Sequence, residues 1–222
     1  MKYFINIIIV SLTCLFLCAA APKLQAENID PDDNNSQFAW SENGGWMNLE
    51  PGTGDGVMVT ATGLTGWIWS ENIGWISLSC SNTSSCGDVN YGVTNNNDGT
   101  LGGYGWSENA GWISFACSTT GSCGDVSYGV TIDSGGNFGG YAWSENIGWI
   151  SFSCENTGSC GAVDYGTQVC VVDIDDLQAF ADQWLGNATS IANLNGDDGV
   201  DFADYAVLAS WWQSYCPGNW PL

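Results

Sequence analysis

The chain is 222 residues long, with 24 Asp and Glu against two Lys or Arg and no His, a formal net charge of −22. Both bases, Lys2 and Lys23, lie before residue 27, so the remainder can form no side-chain ion pair, cannot neutralise phosphates, and makes a poor partner for nucleic acid or an anionic membrane. The same lack removes the imidazole base, the lysine nucleophile and the arginine clamp, leaving a paired-carboxylate mechanism of the glycoside-hydrolase kind as the one route to catalysis.

Residues 1–26, "MKYFINIIIVSLTCLFLCAAAPKLQA", pair a basic start with an apolar run and a small-residue end. This is the pattern of a secretory signal peptide, with cleavage expected after Ala26. A secreted, extracellular protein follows, attached at the cell surface in one reading and with no membrane insertion once the leader is removed. Residues 27–36, "ENIDPDDNNS", are an acidic polar stretch expected to be a flexible entry segment.

Residues 37–168 repeat. The motif W-S-E-N-x-G-W begins at Trp40, Trp69, Trp106 and Trp143, and the first interval is shorter because the first copy lacks a cysteine-bearing insertion. Fixed-period similarity of this kind signals one structural unit used several times. In the last copy, "YGVTI" alternates, "DSGGN" is a turn, "FGGYAWS" alternates again, "ENIG" is a tight connection and "WISFS" is a third strand. The expected fold is therefore mainly β. Tandem three-stranded antiparallel repeats with disulfide-pinned loops form a solenoid, a partial propeller or a sandwich, and a small two-helix module follows them.

Eight Cys remain after the leader takes Cys14 and Cys18, an even number in an exported chain. Spacing pairs Cys80 with Cys86, Cys117 with Cys123 and Cys154 with Cys160, leaving Cys170 for Cys216. Zinc binding is the rival, disfavoured without His.

Within the motif, Trp69 and Trp75 are expected as cross-strand or core anchors, Asn72 or Gly74 as the positive-φ turn residue, Glu71 as a solvated acid, and Ser70 and Ser77 as exposed strand positions. Two uses of the aromatics compete. Small domains employ Trp for buried area. Alternatively one outward aromatic per copy, Trp69, Trp106 or Trp143, stacks on a polysaccharide, and weak sites sum through avidity. Catalysis would fall to Glu71, Glu108 and Glu145 with Asp88 or Asp125. The last copy has Ala162 in place of those aspartates, and no enzyme is expected.

After Cys170, "DIDDLQAFADQWL" and "DFADYAVLASWWQ" match at an offset of 28 and have helical spacing. Between them "NLNGDDGVDFAD" places oxygen donors at alternating positions: Asn193, Asn195, Asp197, the Gly199 carbonyl, Asp201 through water, and Asp204. Such a set suits Ca²⁺. The pair of loop–helix units over about 165–216 resembles a type I dockerin, with module bounds 169–216 and a tail at 217–222. The resemblance implies one Ca²⁺ and no organic cofactor. It also implies a cohesin-like or cell-surface scaffold protein as partner, in a setting of polysaccharide breakdown. The chain departs from the family at Asp198, where Gly is usual, at Asn193, and in the first loop, where Tyr165, Thr167 and Val169 fall on ligand positions. A structural two-helix cap is the alternative. The W-S-E-N-x-G-W part resembles tandem repeats of bacterial secreted proteins and is loosely similar to choline-binding aromatic repeats of cell-wall proteins. The expected function is a non-catalytic extracellular adaptor: a Trp-rich domain on display and a module that attaches it, with carbohydrate or cell-wall binding as the alternative.

Overall fold

The computed structural model describes residues 28–222 except 54, 97, 188 and 219. The expected leader, 1–26, and the first residue of the acidic segment lie outside the described residues.

Each W-S-E-N-x-G-W motif is a hairpin of four-residue strands or strand ends. The hairpins are β1 (Phe38–Ser41) with β2 (Gly45–Asn48), β5 (Trp67–Ser70) with β6 (Gly74–Ser77), β8 (Leu101–Ser107) with β9 (Gly111–Ser114), and β11 (Phe138–Ser144) with β12 (Gly148–Ser151). The hairpins lie side by side: β2 pairs β5, β6 pairs β8, β9 pairs β11, and β12 returns to β1, with Trp40 opposite Ser151. The result is a closed eight-stranded antiparallel barrel. It replaces the expected solenoid, propeller or sandwich. The physical reason is that each hairpin buries one face only, and four such faces just suffice to fill the interior of an eight-stranded barrel. Closure also removes the free edges that an open stack would leave.

Short outer strands, β3 (Met58–Val59), β4 (Gly63–Thr65), β7 (Val93–Asn95) and β10 (Val130–Ile132), extend the far end of the barrel. β10 with β11 and β12 forms the anticipated three-stranded meander, as does β7 with β8 and β9. The long strands β8 and β11 bend from the outer ladder into the barrel at Gly103 and Gly140. Gly140 has φ +77° and a Cβ there would lie 2.0 Å from the Gly129 carbonyl oxygen, so the corner requires glycine.

The interior follows from the period of two. Ala39, Met47, Ile68, Ile76, Ile113, Ala142 and Ile150 point inward and are buried. At the turn end the variable residue of the motif closes the barrel: Gly44, Ile73, Ala110 and Ile147, large and small in alternation round the ring. A Cβ on Gly44 would come within 2.8 Å of Met47 and 3.2 Å of Ile147, so these two side chains crowd the position. Leu49, Leu78, Phe115 and Phe152 close the other end and are fully buried.

The cysteine insertions carry single helical turns: a 3₁₀ turn at Cys80–Thr83, α1 (Cys117–Thr120) and α2 (Cys154–Thr157). The disulfides are Cys80–Cys86, Cys117–Cys123, Cys154–Cys160 and Cys170–Cys216. Each turn presents one side chain to a corner glycine: Asn82 to Gly66, Thr119 to Gly103, Asn156 to Gly140. The insertion thus folds back to fix the bend by which the hairpin just before it enters the barrel.

The acidic entry segment is anchored where it was expected to be free. Asn28 is buried and its side chain bonds both the N–H and C=O of Val59 and the Cys216 carbonyl. The buried Asp30 carboxylate accepts from Asn34 N, Asn35 N and Ser36 Oγ. The C-terminal module has α3 (Ile174–Asp182) and α4 (Phe202–Trp211) around a small core of Val172, Phe180, Ala192, Val200 and Leu208. Asn28 and an Asn95 Nδ2 to Tyr215 hydroxyl bond of 3.1 Å tie it to the barrel's far end, and the Cys170–Cys216 bond closes the module on itself.

Candidate functional site

The barrel wall explains the motif almost residue by residue. The serine before each turn, taken above as exposed, is buried: Ser41, Ser70, Ser107 and Ser144 are each 1 % exposed. Three of them donate across the barrel to a neighbouring hairpin, Ser41 to the Ile147 carbonyl, Ser70 to that of Gly44, and Ser144 to that of Ala110. The asparagine makes the same reach: Asn43 Nδ2 to Ile147 O, Asn109 to Ile73 O, Asn146 to Ala110 O. The motif glycine, not the asparagine, takes positive φ at Gly45, Gly74, Gly111 and Gly148. Ser77 is also buried, because the following loop folds over it and the Tyr91 hydroxyl and Asn82 amide both donate to its Oγ.

The two tryptophans pair across each hairpin. Trp40–Trp46, Trp69–Trp75, Trp106–Trp112 and Trp143–Trp149 have ring centroids 4.7, 4.7, 4.6 and 4.5 Å apart in tilted geometry. They form a belt on the outer wall. A tyrosine from the disulfide loop packs edge-on against the second tryptophan of the next hairpin: Tyr91 on Trp112, Tyr128 on Trp149, and Tyr165 on Trp46. The last contact joins the end of the repeat to its beginning. Trp75 receives no such tyrosine, since the first copy has no insertion.

Trp69, Trp106 and Trp143 are the positions expected to stack on a sugar. Trp69 is 37 % exposed, and Trp106 and Trp143 are half-buried. The second tryptophan is the more open: 44 % at Trp46, 43 % at Trp112 and 41 % at Trp149. A period of two cannot tell them apart, because both lie on the outer face.

Two grooves cross this belt. One, of about 870 Å³, lies between the third and fourth hairpins, with Tyr91, Trp112, Trp143, Trp149, Glu145 and Asn146 in its walls. The other, of about 660 Å³, lies between the first and second, with Tyr165, Trp46, Trp69, Glu71 and Asn72. They are the same construction half a turn apart: Tyr91 corresponds to Tyr165, Trp112 to Trp46, Trp143 to Trp69 and Glu145 to Glu71. Ligand sites of this size, largely apolar with a few polar groups, are the common form for small molecules.

One motif residue has no structural work. Glu42, Glu71, Glu108 and Glu145 are exposed and have no hydrogen-bond or ion-pair partner among the described residues. Copies that differ at the plug, at Leu78 against Phe115, and at Asp88 and Asp125 against Ala162 all keep this glutamate.

In the C-terminal module both helices begin with the same acid pair. Asp173 and Asp176 form a capping box on α3, Asp201 and Asp204 on α4. Burial pushes the Asp204 carboxyl up, but backbone N–H groups, led by those of Asn195 and Asp201, outweigh it and hold the carboxyl below its usual range. Asn195 N and Asp201 N each reach it at 2.9 Å. Asp176 has Trp220 Nε1 in place of the loop amide. In the 193–204 loop, Asn193 Oδ1 accepts from Gly196 N and Asp197 N, Asn195 Oδ1 from Asp197 N, and an Asp197 oxygen from Gly199 N. The left-handed residue is Gly196, while Asp198 is not left-handed. The donor chemistry, amide and carboxylate oxygens with lone pairs to spare, fits a hard cation. The carboxylates of Asp197, Asp201 and Asp204 do not close to within 4.8 Å of one another. Tyr165, Thr167 and Val169, on the first-loop ligand positions, belong to the barrel closure instead.

No family model, curated protein or solved structure matches this chain.

Proposed function

We propose that this is a non-catalytic extracellular adaptor whose barrel binds a glycan along its tryptophan belt and whose C-terminal module holds it on a scaffold. The observation that carries the reading is the pair of equivalent grooves walled by half-exposed Trp and Tyr rings beside a free carboxylate and amide. Flat apolar ring faces with polar groups at their rim suit a sugar, which has an apolar C–H face and a hydroxyl edge. Two grooves on one rigid barrel would add avidity on a polymer. Catalysis is disfavoured because a second carboxylate is not part of the shared construction: the smaller groove holds Glu71 and Asp164, but the larger has Asn90 at the position of Asp164 and holds one carboxylate, Glu145, where glycoside hydrolysis uses two.

Tryptophan emission during titration with a panel of oligosaccharides tests the glycan reading. A saturable change is expected, reduced at least about tenfold in affinity by Trp46→Ala with Trp112→Ala. A flat response over the panel overturns it.

Attachment is supported by a separate feature. Ile174 and Phe202, the equivalent first residues of α3 and α4, are 63 % and 76 % exposed, and Phe202 packs at 5.0 Å on Trp184, beside the exposed Leu185. Apolar surface left open in this way marks an interaction face, and the dockerin resemblance makes a cohesin-like scaffold protein its partner. Asn193, Asn195, Asp197, Asp201 and the Gly199 carbonyl would hold Ca²⁺ with Asp204, and the ion would cross-link an otherwise acidic loop. Calorimetry with and without chelator is expected to show one site, lost in Asp197→Ala. That variant is preferred to one at Asp204, which also caps α4.

A further inference from the structure

We infer that the two grooves select an amine-bearing glycan, one whose sugar rings carry free, protonated amino groups, over neutral or acidic polysaccharides; this rests on the glycan reading above. The serine and, in three of the four copies, the asparagine of the W-S-E-N-x-G-W motif bond a neighbouring hairpin or their own turn, whereas the glutamate side chain has no partner among the described residues in any copy. In the two formed grooves that glutamate, Glu71 or Glu145, sits with three tryptophans and at least one tyrosine. An aromatic wall and a carboxylate in one cleft are complementary to a cation, because the ring face is electron-rich and the carboxylate supplies the counter-charge.

The rest of the chain reinforces the choice. No Lys, Arg or His occurs after Lys23, so nothing inside the protein competes for Glu71 or Glu145. Clefts lined by one sign of charge concentrate the potential, which here repels uronate or sulfate groups. A neutral sugar needs only hydroxyl partners, and Asn72 and Asn146 already supply them beside each glutamate. The retained carboxylate is what an ammonium group adds to that requirement.

So acidic a protein attracts any polycation, and the test must separate stacking from bulk charge. At about pH 6, where such amines are protonated, tryptophan emission and calorimetry would compare a glucosamine tetramer, its fully N-acetylated form and spermine, a flexible aliphatic tetra-amine. The glucosamine tetramer is expected to bind tightest and to perturb the tryptophans. Glu71→Gln with Glu145→Gln is expected to weaken it about tenfold while leaving the N-acetylated tetramer unchanged. Glu155→Gln with Asp182→Asn, an equal loss of charge at exposed positions outside the grooves, should leave both unchanged. Equal binding of the acetylated and free-amine tetramers would overturn the amine selectivity and keep the glycan reading. Spermine binding as tightly, with the same tryptophan response, would reduce the effect to bulk charge and overturn it too. If neither sugar binds, both readings fall.

Discussion

The barrel and the C-terminal module are both built from repeats, and they use repetition in opposite ways. In the barrel the copies satisfy one another. Asn43 and Ser41 reach the Ile147 carbonyl, Asn146 and Ser144 that of Ala110, and Tyr165 from the last copy covers Trp46 in the first. In the module the two copies have diverged. Asp204 still caps its helix and gathers a polar loop, whereas Asp176 caps its helix and takes the Trp220 indole, with the Cys170–Cys216 bond close by. A ring of equivalent units is held by contacts between units. A pair of inequivalent ones needs separate fastenings.

The largest expected effect breaks the module and spares the barrel. Replacing Cys170 and Cys216 by Ser removes a bridge spanning 46 residues, and chain entropy puts its contribution at about 4 kcal/mol, against about 2 for one of the short bridges. Guanidinium unfolding, followed by helical circular dichroism and by belt tryptophan emission, should show the helical signal lost first. Coincident loss would mean that the two regions are one cooperative unit. The converse change is Gly140→Ala, which drives a Cβ into the Gly129 carbonyl at an enforced positive φ and should cost the barrel roughly 3 kcal/mol. Gly161→Ala isolates the φ component, since Gly161 has φ +86° with open space round it, and should cost about 1.

The contrast also explains what could be read from the sequence. Strand alternation, the turn at each E-N-x-G and the two helices are local, and the residues themselves disclose them: "FGGYAWS" is β11 and Asp173 and Asp201 cap α3 and α4. Closure is not local. Whether Trp40 would meet Ser151 depends on the angle at which Gly66, Gly103 and Gly140 feed one hairpin to the next, and no periodicity encodes that angle. The same gap hid the burial of Ser70 and Ser77, whose partners come from other hairpins and loops. The grooves were half legible. Trp, Glu and Asn could be named as a set, but the groove wall is completed by the tyrosine of a loop up to 119 positions away, as Tyr165 on Trp46 shows.

A smaller effect separates the two helix caps. Because the folded Asp204 carboxyl is held below its ordinary value, its contribution is complete above the unfolded value of about 3.9 and fades as pH falls through the folded one. Acid should therefore loosen α4. Asp204→Asn should cost about 1 kcal/mol at neutral pH and flatten the module's stability profile below about pH 4. Trp220→Phe, which removes the indole donor to Asp176, should cost a similar amount with the pH response of α4 intact. Thermal melts from about pH 3 to 7 distinguish the two.

The smallest effect tests whether the barrel's copies are as equivalent as the comparison requires. Asn43, Asn109 and Asn146 each bond a carbonyl of a neighbouring hairpin, at 3.2, 3.0 and 3.1 Å. Asn72 holds the same motif position, yet its side chain makes no such bond and lies over Gly45, where a Cβ would come within 2.5 Å of its amide nitrogen. Gly44 fills the plug position of the first hairpin and its carbonyl accepts from Ser70 alone, whereas Ile147 and Ala110 each accept from both the serine and the asparagine. Substituting Ala should therefore cost about 0.5–1 kcal/mol at Asn146 or Asn109 and close to nothing at Asn72. Equal losses at all four positions would show that the amides stabilise their own turns, and that the ring is held by strand pairing and the tryptophan belt alone.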